Sequence, residues 1–345
     1  MQWILIAVVI IAVILFLLAF LCLQVAFGVR CEGNPELKYF THEDFDDLEA
    51  EPISFVSDKG QRLRGAIYTC RGVNPSGLVI FAHGMGGGHL SYTTNIRTIA
   101  KAGFAVLSYD NTGTMSSEGN SLRSFYQAVK DLRAALKFVH EKERLSKYKV
   151  VLAGHSWGGY AVCQALAFAE EQVAGVVAFS PPDSVAGVIC DSITQIIGVP
   201  MAWLSPAVWV ASVLKGGWDS RFKSSSVLLK TKQVPVMILH GDADSTVLFK
   251  NSPLSNSDVM AKENITGIIY NGKAHNVYQT KESEQYLGDV FGAIGAAQKK
   301  YGRKGIPEDE KAKLYDIDYE LIVREDPEVM KTVTDFIANC IGNAN

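Results

Sequence analysis

The 345-residue sequence has almost no excess of charge: 33 Lys and Arg stand against 36 Asp and Glu, a net −3 at pH 7. It has no positive field to grip a phosphate backbone, so nucleic acid is excluded from the expected partners. The six cysteines, Cys22, Cys31, Cys70, Cys163, Cys190 and Cys340, are scattered, with no C-x-x-C or zinc-type spacing. A disulfide framework or a structural zinc is therefore not expected, and this cysteine usage suits a reducing compartment. H-E-x-x-H is missing, Gly86-Gly87-Gly88 is not followed by Lys-Ser/Thr, and G-x-G-x-x-G does not occur. These absences leave no metal and no nucleotide cofactor among the expectations. Internal repeats and low-complexity tracts are lacking too.

Charge is missing altogether from residues 3–29, where Gln24 is nearly the only polar side chain. Such a run is long enough to cross a hydrocarbon core of about 30 Å as a helix. A secretory signal has a basic leading segment and an apolar core of about 7–15 residues. This run has neither, although Ala26 and Gly28 supply the small residues of a cleavage site, and it reads as an uncleaved transmembrane anchor over residues 1–30. The nearest basic residues, Arg30 and Lys38, follow the run and none precedes it. By the positive-inside rule a single-pass span then leaves the rest of the chain in the cytoplasm. Residues 31–51, acidic from 43 onward, read as a linker.

From residue 52 to the end, short β-branched runs alternate with helical patterns, which predicts an α/β domain with a mostly parallel sheet. Runs at 53–57 and 62–69 flank Asp58-Lys59-Gly60 and predict a hairpin. The run 78–82 is apolar throughout, as a strand buried on both faces is, and it ends in the glycine-rich loop 83–88. Further strands are predicted at 104–109, 149–153, 173–179, 235–239 and 265–270. Phe125, Val129, Leu132, Leu136 and Val139 share one helical face, as do Val329, Val333, Phe336 and Ile337 near the C-terminus. Two stretches break the alternation. Residues at about 183–233 are uncharged from 192 to 214 and are interrupted by Gly198, Pro200 and Pro206, which predicts an apolar cap insertion and not a second span. Residues at about 280–326 form a charged, helix-prone extension.

A serine hydroxyl becomes a nucleophile when a base takes its proton, a carboxylate orients that base, and donors await the oxyanion. Gly154-His155-Ser156-Trp157-Gly158 fits G-x-S-x-G, the turn that lifts a serine off the end of a strand, and it lies between a predicted strand and a predicted helix. His240-Gly241-Asp242-Ala243-Asp244 offers two carboxylates after the next-to-last strand, and Gly272-Lys273-Ala274-His275 follows the last. With these motifs, residues 53–276 and the final helix resemble the α/β-hydrolase superfamily. The closest likeness is to its monoacylglycerol lipase and serine aminopeptidase-like branch.

The resemblance implies an eight-stranded, mostly parallel sheet with the nucleophile after the fifth strand, the acid after the seventh and the histidine after the eighth. It puts Ser156, Asp244 and His275 in the catalytic triad and the amides of Met85 and Trp157 in the oxyanion hole. Asp242 is the rival acid, otherwise expected to tighten its own turn, and His155 falls at the variable position of the serine turn. The implied activity is hydrolysis of carboxylic esters, acyl or lipid esters above all, through an acyl-enzyme and without a cofactor. A peptidase or amidase of the same fold and a non-catalytic membrane-anchored binding module are the alternatives. Trp203 and Trp209, in the uncharged part of the cap, are expected to bind substrate by lining an acyl pocket above Ser156.

Fractionation checks the anchor. The full-length chain should stay with membranes after high-salt and alkaline washing; release into the supernatant, or a mature chain starting after Gly28, would contradict it.

Overall fold

Eight strands hydrogen-bond into one sheet in the order β1-β2-β4-β3-β5-β6-β7-β8 in a computed structural model of the chain, which describes residues 1–221, 224–302 and 305–343. Strands β1 (Leu48–Val56) and β2 (Arg62–Cys70) form the predicted hairpin, with Leu48 opposite Cys70 and Val56 opposite Arg62. Strand β2 also runs antiparallel to β4 (Ala105–Tyr109). Strands β3 (Leu78–Ala82), β4, β5 (Val150–His155), β6 (Gly175–Phe179), β7 (Val236–Gly241) and β8 (Ile265–Tyr270) are parallel. Every position of β3 to β7 is buried. That is why these runs are continuously apolar and do not alternate.

The helices are α1 (Gln2–Phe27), α2 (Thr93–Lys101), α3 (Gln127–Glu141), α4 (Glu143–Ser146), α5 (Trp157–Ala169), α6 (Val185–Ile197), α7 (Ser205–Gly216), α8 (Ser225–Leu229), α9 (Ser257–Met260), α10 (Lys281–Tyr301), α11 (Glu308–Leu314), α12 (Tyr319–Ile322) and α13 (Pro327–Asn343). They cover both faces of the sheet. Leu78, Ile80 and Leu152 point into one core with Val129, Leu132 and Leu136 of α3 and Val162 of α5. Val79, Phe81 and Val151 point into the other with Ile96 and Ile99 of α2 and Val333 and Ile337 of α13. The alternation along each strand thus feeds two helix layers, and the apolar stripes predicted for α3 and α13 are the surfaces that meet it.

The segment expected to be a linker is docked onto the domain. Cys31 and the loop after β4 exchange backbone bonds, Cys31 N to Gly113 O and Met115 N to Cys31 O, each 2.9 Å. The Arg30 guanidinium donates to the carbonyls of Met115, Ser117 and Gly119. Farther on, Thr93 Oγ1 donates to Phe40 O at 2.6 Å, and β1 starts at Leu48, whose side chain is buried in the second core. One acidic side chain takes part as well, since Asp47 accepts from Arg97 Nε of α2 at 2.6 Å and from its Nη2 at 2.7 Å.

Helix α1 is the one helix among the described residues that is long and apolar enough to cross a membrane. Only Ala19, Leu23 and Phe27, one per turn, are buried, and its main partner is α7 of the cap.

Glu325, between α12 and α13, accepts hydrogen bonds from Asn95 Nδ2 and Thr98 Oγ1 of α2, both at 2.5 Å. Burial pushes its carboxyl from 4.5 up to about 7, against the opposing pull of the Thr98 hydroxyl and the Arg97 charge. A carboxyl whose folded pKa is raised contributes most stability below its unfolded pKa, and the contribution fades as pH climbs to the folded one. The difference in urea midpoint between the wild type and Glu325→Gln should therefore move in favour of the variant as pH rises from 4.5 to about 7. A pH-independent difference would contradict this assignment.

Candidate active site

Strand β5 ends at His155 and α5 begins at Trp157, so Ser156 alone makes the turn, at φ 54° and ψ −112°. Positive φ at a residue with a side chain costs about 1–3 kcal/mol and persists only where the surroundings impose it. Here Ser156 N donates to Phe179 O at the end of β6, and Tyr160 N donates to Ser156 O, each at 2.8 Å. The flanking glycines are a steric requirement. A Cβ on Gly154 would stand 2.5 Å from Gly158 O, and one on Gly158 would stand 2.0 Å from Ala82 O.

Of the two aspartates left open by the sequence, the structure brings Asp244 to His275. His275 Nδ1 donates to Asp244 Oδ2 at 2.8 Å, while Asp244 Oδ1 accepts the amides of Thr246 and Val247, also at 2.8 Å. Burial pushes the Asp244 carboxyl up, but the hydrogen bond and charge of His275 and the Val247 amide outweigh it and hold the group below the ordinary carboxylate range. It stays an anion, and with the Nδ1 proton fixed on Asp244, His275 Nε2 is the nitrogen left to accept a proton. Asp242 accepts from Gly272 N at 2.6 Å. It ties the loop after β7 to the turn after β8, where a bond within its own turn was expected.

Three residues that the sequence left out of the site, Ser180, His155 and Tyr92, build a hydrogen-bond network onto the His275 backbone. The His275 carbonyl accepts from Ser180 Oγ at 2.7 Å and from His155 Nε2 at 3.1 Å, and the two imidazole rings lie 4.7 Å apart. Because Nε2 faces a carbonyl it carries the proton, so His155 Nδ1 accepts from the Tyr92 hydroxyl at 2.8 Å. The Tyr92 oxygen in turn accepts from Gly84 N at 3.0 Å. Burial lowers the His155 pKa to about 3, so the ring is neutral and this chain of bonds does not titrate near neutrality. It joins the loop after β3, the turn at Ser156 and the loop after β8. Its one trace in the sequence is a histidine at the variable position of the serine turn.

The Trp157 amide opens α5 ahead of the first intrahelical bond, which runs from Tyr160 N to Ser156 O, so it sits at the positive end of the helix. Met85 follows Gly84, where a Cβ would meet Tyr92 Oη at 2.6 Å. The missing side chain is what lets this loop come in against the serine turn. The cap reaches the site through α6, whose Gln195 Nε2 donates to Ser245 O beside Asp244. The cap tryptophans are placed otherwise than expected. Trp203 is 56% exposed, and its Nε1 donates to Pro200 O within the cap. Trp209 is half-buried and its Nε1 donates to Arg221 O. The uncharged stretch packs one side on α1 and the core, through Leu204, Val208 and Ala211, and that packing turns Trp203 outward. Among the described residues no cluster of three or more His, Cys, Asp or Glu is arranged to hold a metal ion.

Residues 73–230 match a family model described as serine aminopeptidase, S33. An uncharacterized protein of Salmonella typhimurium, YfhR, is 23% identical over 210 residues, which cover 59% of this chain and 68% of that one. The Pyrococcus furiosus esterase Pf2001 superposes with a TM-score of 0.56 at 16% identity, over 81% of this chain and 100% of its own. Est1E of Butyrivibrio proteoclasticus, solved with ferulic acid bound, gives 0.54 at 18% identity, over 84% of this chain and 99% of its own. The strand order, the strand–turn–helix unit around Ser156 and these likenesses together identify the chain as an α/β hydrolase in fold.

Proposed function

We propose that the chain is a membrane-anchored serine hydrolase that cleaves carboxylic esters, with acyl or lipid esters as the substrate class. The observation that carries the reading is the His275–Asp244 hydrogen bond, at 2.8 Å, on a histidine held by its backbone against the residue preceding Ser156. Ser156 Oγ attacks the ester carbonyl and its proton passes to His275 Nε2. The carbonyl oxygen becomes an anion, which accepts the amides of Met85 and Trp157. Collapse of the tetrahedral adduct breaks the C–O bond to the alcohol, which leaves with the proton from His275, and Ser156 keeps the acyl group. Water then gives a proton to His275 and attacks the acyl carbon. The second adduct releases the carboxylic acid and returns the proton to Ser156.

The uncharged helix α1 supports the membrane part of the proposal, and the esterases among the similar structures support the ester. The match to a serine aminopeptidase family favours one second reading, an amide substrate, because the same groups protonate an amine leaving group equally well.

Hydrolysis of p-nitrophenyl esters and p-nitroanilides by the full-length chain in detergent tests both. Ser156→Ala and His275→Ala should fall to one common floor, since triad members act as a unit. Asp244→Asn should lose about ten-thousand-fold in kcat, and Asp242→Asn no more than a few-fold. Full activity in Ser156→Ala, or a larger loss at Asp242 than at Asp244, would refute the assignment. A wild type inert towards both substrate classes would favour a binding module.

A further inference from the structure

The apolar surface of this chain does not end with α1. One side of the cap hairpin α6–α7 is buried, but the other leaves Ile196 84%, Trp203 56% and Leu214 66% exposed, in a stretch with no charged residue from 192 to 214. Monomeric soluble proteins rarely leave such a patch to water.

What covers it follows from the length of α1. Residues 2–14 are exposed on all sides. At about 1.5 Å per residue they span about 20 Å, short of the roughly 30 Å hydrocarbon core. From Leu15 onward one side of α1 packs on the domain, while Leu17, Leu21 and Val25 on the other side remain exposed. The helix therefore spans a bilayer only if lipid also surrounds turns that lie against the cap. Gln24 marks where that ends: it is the polar residue of the run, its Oε1 accepts from Lys215 Nζ at 2.5 Å, and the 20 residues before it rise about 30 Å. Helix α1 stops one turn past Gln24, and Lys215 lies near the end of α7. The contact between the two helices must therefore extend from Lys215 back along the turns that lipid surrounds.

Resting on the anchor reading above, we infer that the outer face of α6–α7 lies in the acyl chains of the same leaflet as the C-terminal half of α1, with the Gln24–Lys215 pair at headgroup level. The hairpin suits that place. Its connecting segment keeps backbone donors engaged, with Gly198 N on Thr194 O and Met201 N on Thr194 Oγ1, and Pro200 has no donor to satisfy. Trp218, 73% exposed just past Lys215, sits where aromatic side chains border a membrane. The bond from Gln195 to Ser245 keeps the inner side of the cap at the Asp244 loop. The site then opens beside the leaflet, and an ester with a long acyl chain reaches Ser156 from lipid without crossing water.

Depth-dependent fluorescence tests this on the full-length chain in phosphatidylcholine vesicles. Tryptophan-to-phenylalanine changes leave one reporter, Trp203 or Trp3, over the buried Trp157. Trp203 emission should be quenched by phosphatidylcholine brominated on its acyl chains and shielded from aqueous iodide, with Trp3 in α1 quenched by the brominated lipid as the control. Trp203 open to iodide and untouched by brominated lipid, while Trp3 is quenched, would overturn the inference. Shielding from both quenchers with crosslinking between chains would overturn it in favour of a second copy on the face. The readout does not use Ser156, so the same quenching in Ser156→Ala separates failure of the cap inference from failure of the hydrolase reading.

Discussion

The turn at Ser156 is the constraint on which the rest of the site depends. A side chain at φ 54° is held between two strand ends because no atom beyond hydrogen fits on Gly154 or Gly158. That tightness fixes three things at once. It puts the Trp157 amide at the open end of α5, exposes the serine above the sheet, and buries His155 with its ring turned toward Tyr92 and His275. The strain is local, and the two cores on either face of the sheet resist its relaxation.

Electrostatics around that turn separates four histidines into two kinds. His83, His155 and His240 are buried, and burial lowers the pKa of each, so they remain neutral hydrogen-bonding parts. His83 Nε2 accepts from Asn111 N, and His240 Nε2 donates to Val247 O, each at 2.9 Å. His275 differs: its side chain keeps 19% exposure and faces the buried Asp244 anion. Both His275 Nδ1, at 2.8 Å, and His240 Nε2, at 3.4 Å, lie against Asp244 Oδ2.

The strands were legible because burial on both faces leaves continuous apolar runs, and the serine turn because its glycines are dictated by contact distances that admit nothing larger. The carboxylate that meets His275 was legible only as a choice, since Asp242 and Asp244 share one loop and the orientation of that loop decides which of them faces the ring. The bonds from Gly84 to Tyr92, His155 and His275 join residues 8, 63 and 120 positions apart, and no local pattern encodes them. The sequence shows that the cap is apolar but not that its core-facing side meets α1, a contact that leaves Trp203 exposed. Residues 31–51 were read as a linker for the same reason, since their attachments at Gly113, Met115 and Thr93 belong to distant parts of the chain.

The central claim of the proposal is that Ser156 is the nucleophile. Treating the folded full-length chain in detergent with a fluorophosphonate and locating the adduct by peptide mass spectrometry tests it most directly. The account predicts a single adduct, on Ser156, that denaturing the protein beforehand abolishes. An adduct on a different residue, or none on the folded chain, would contradict it.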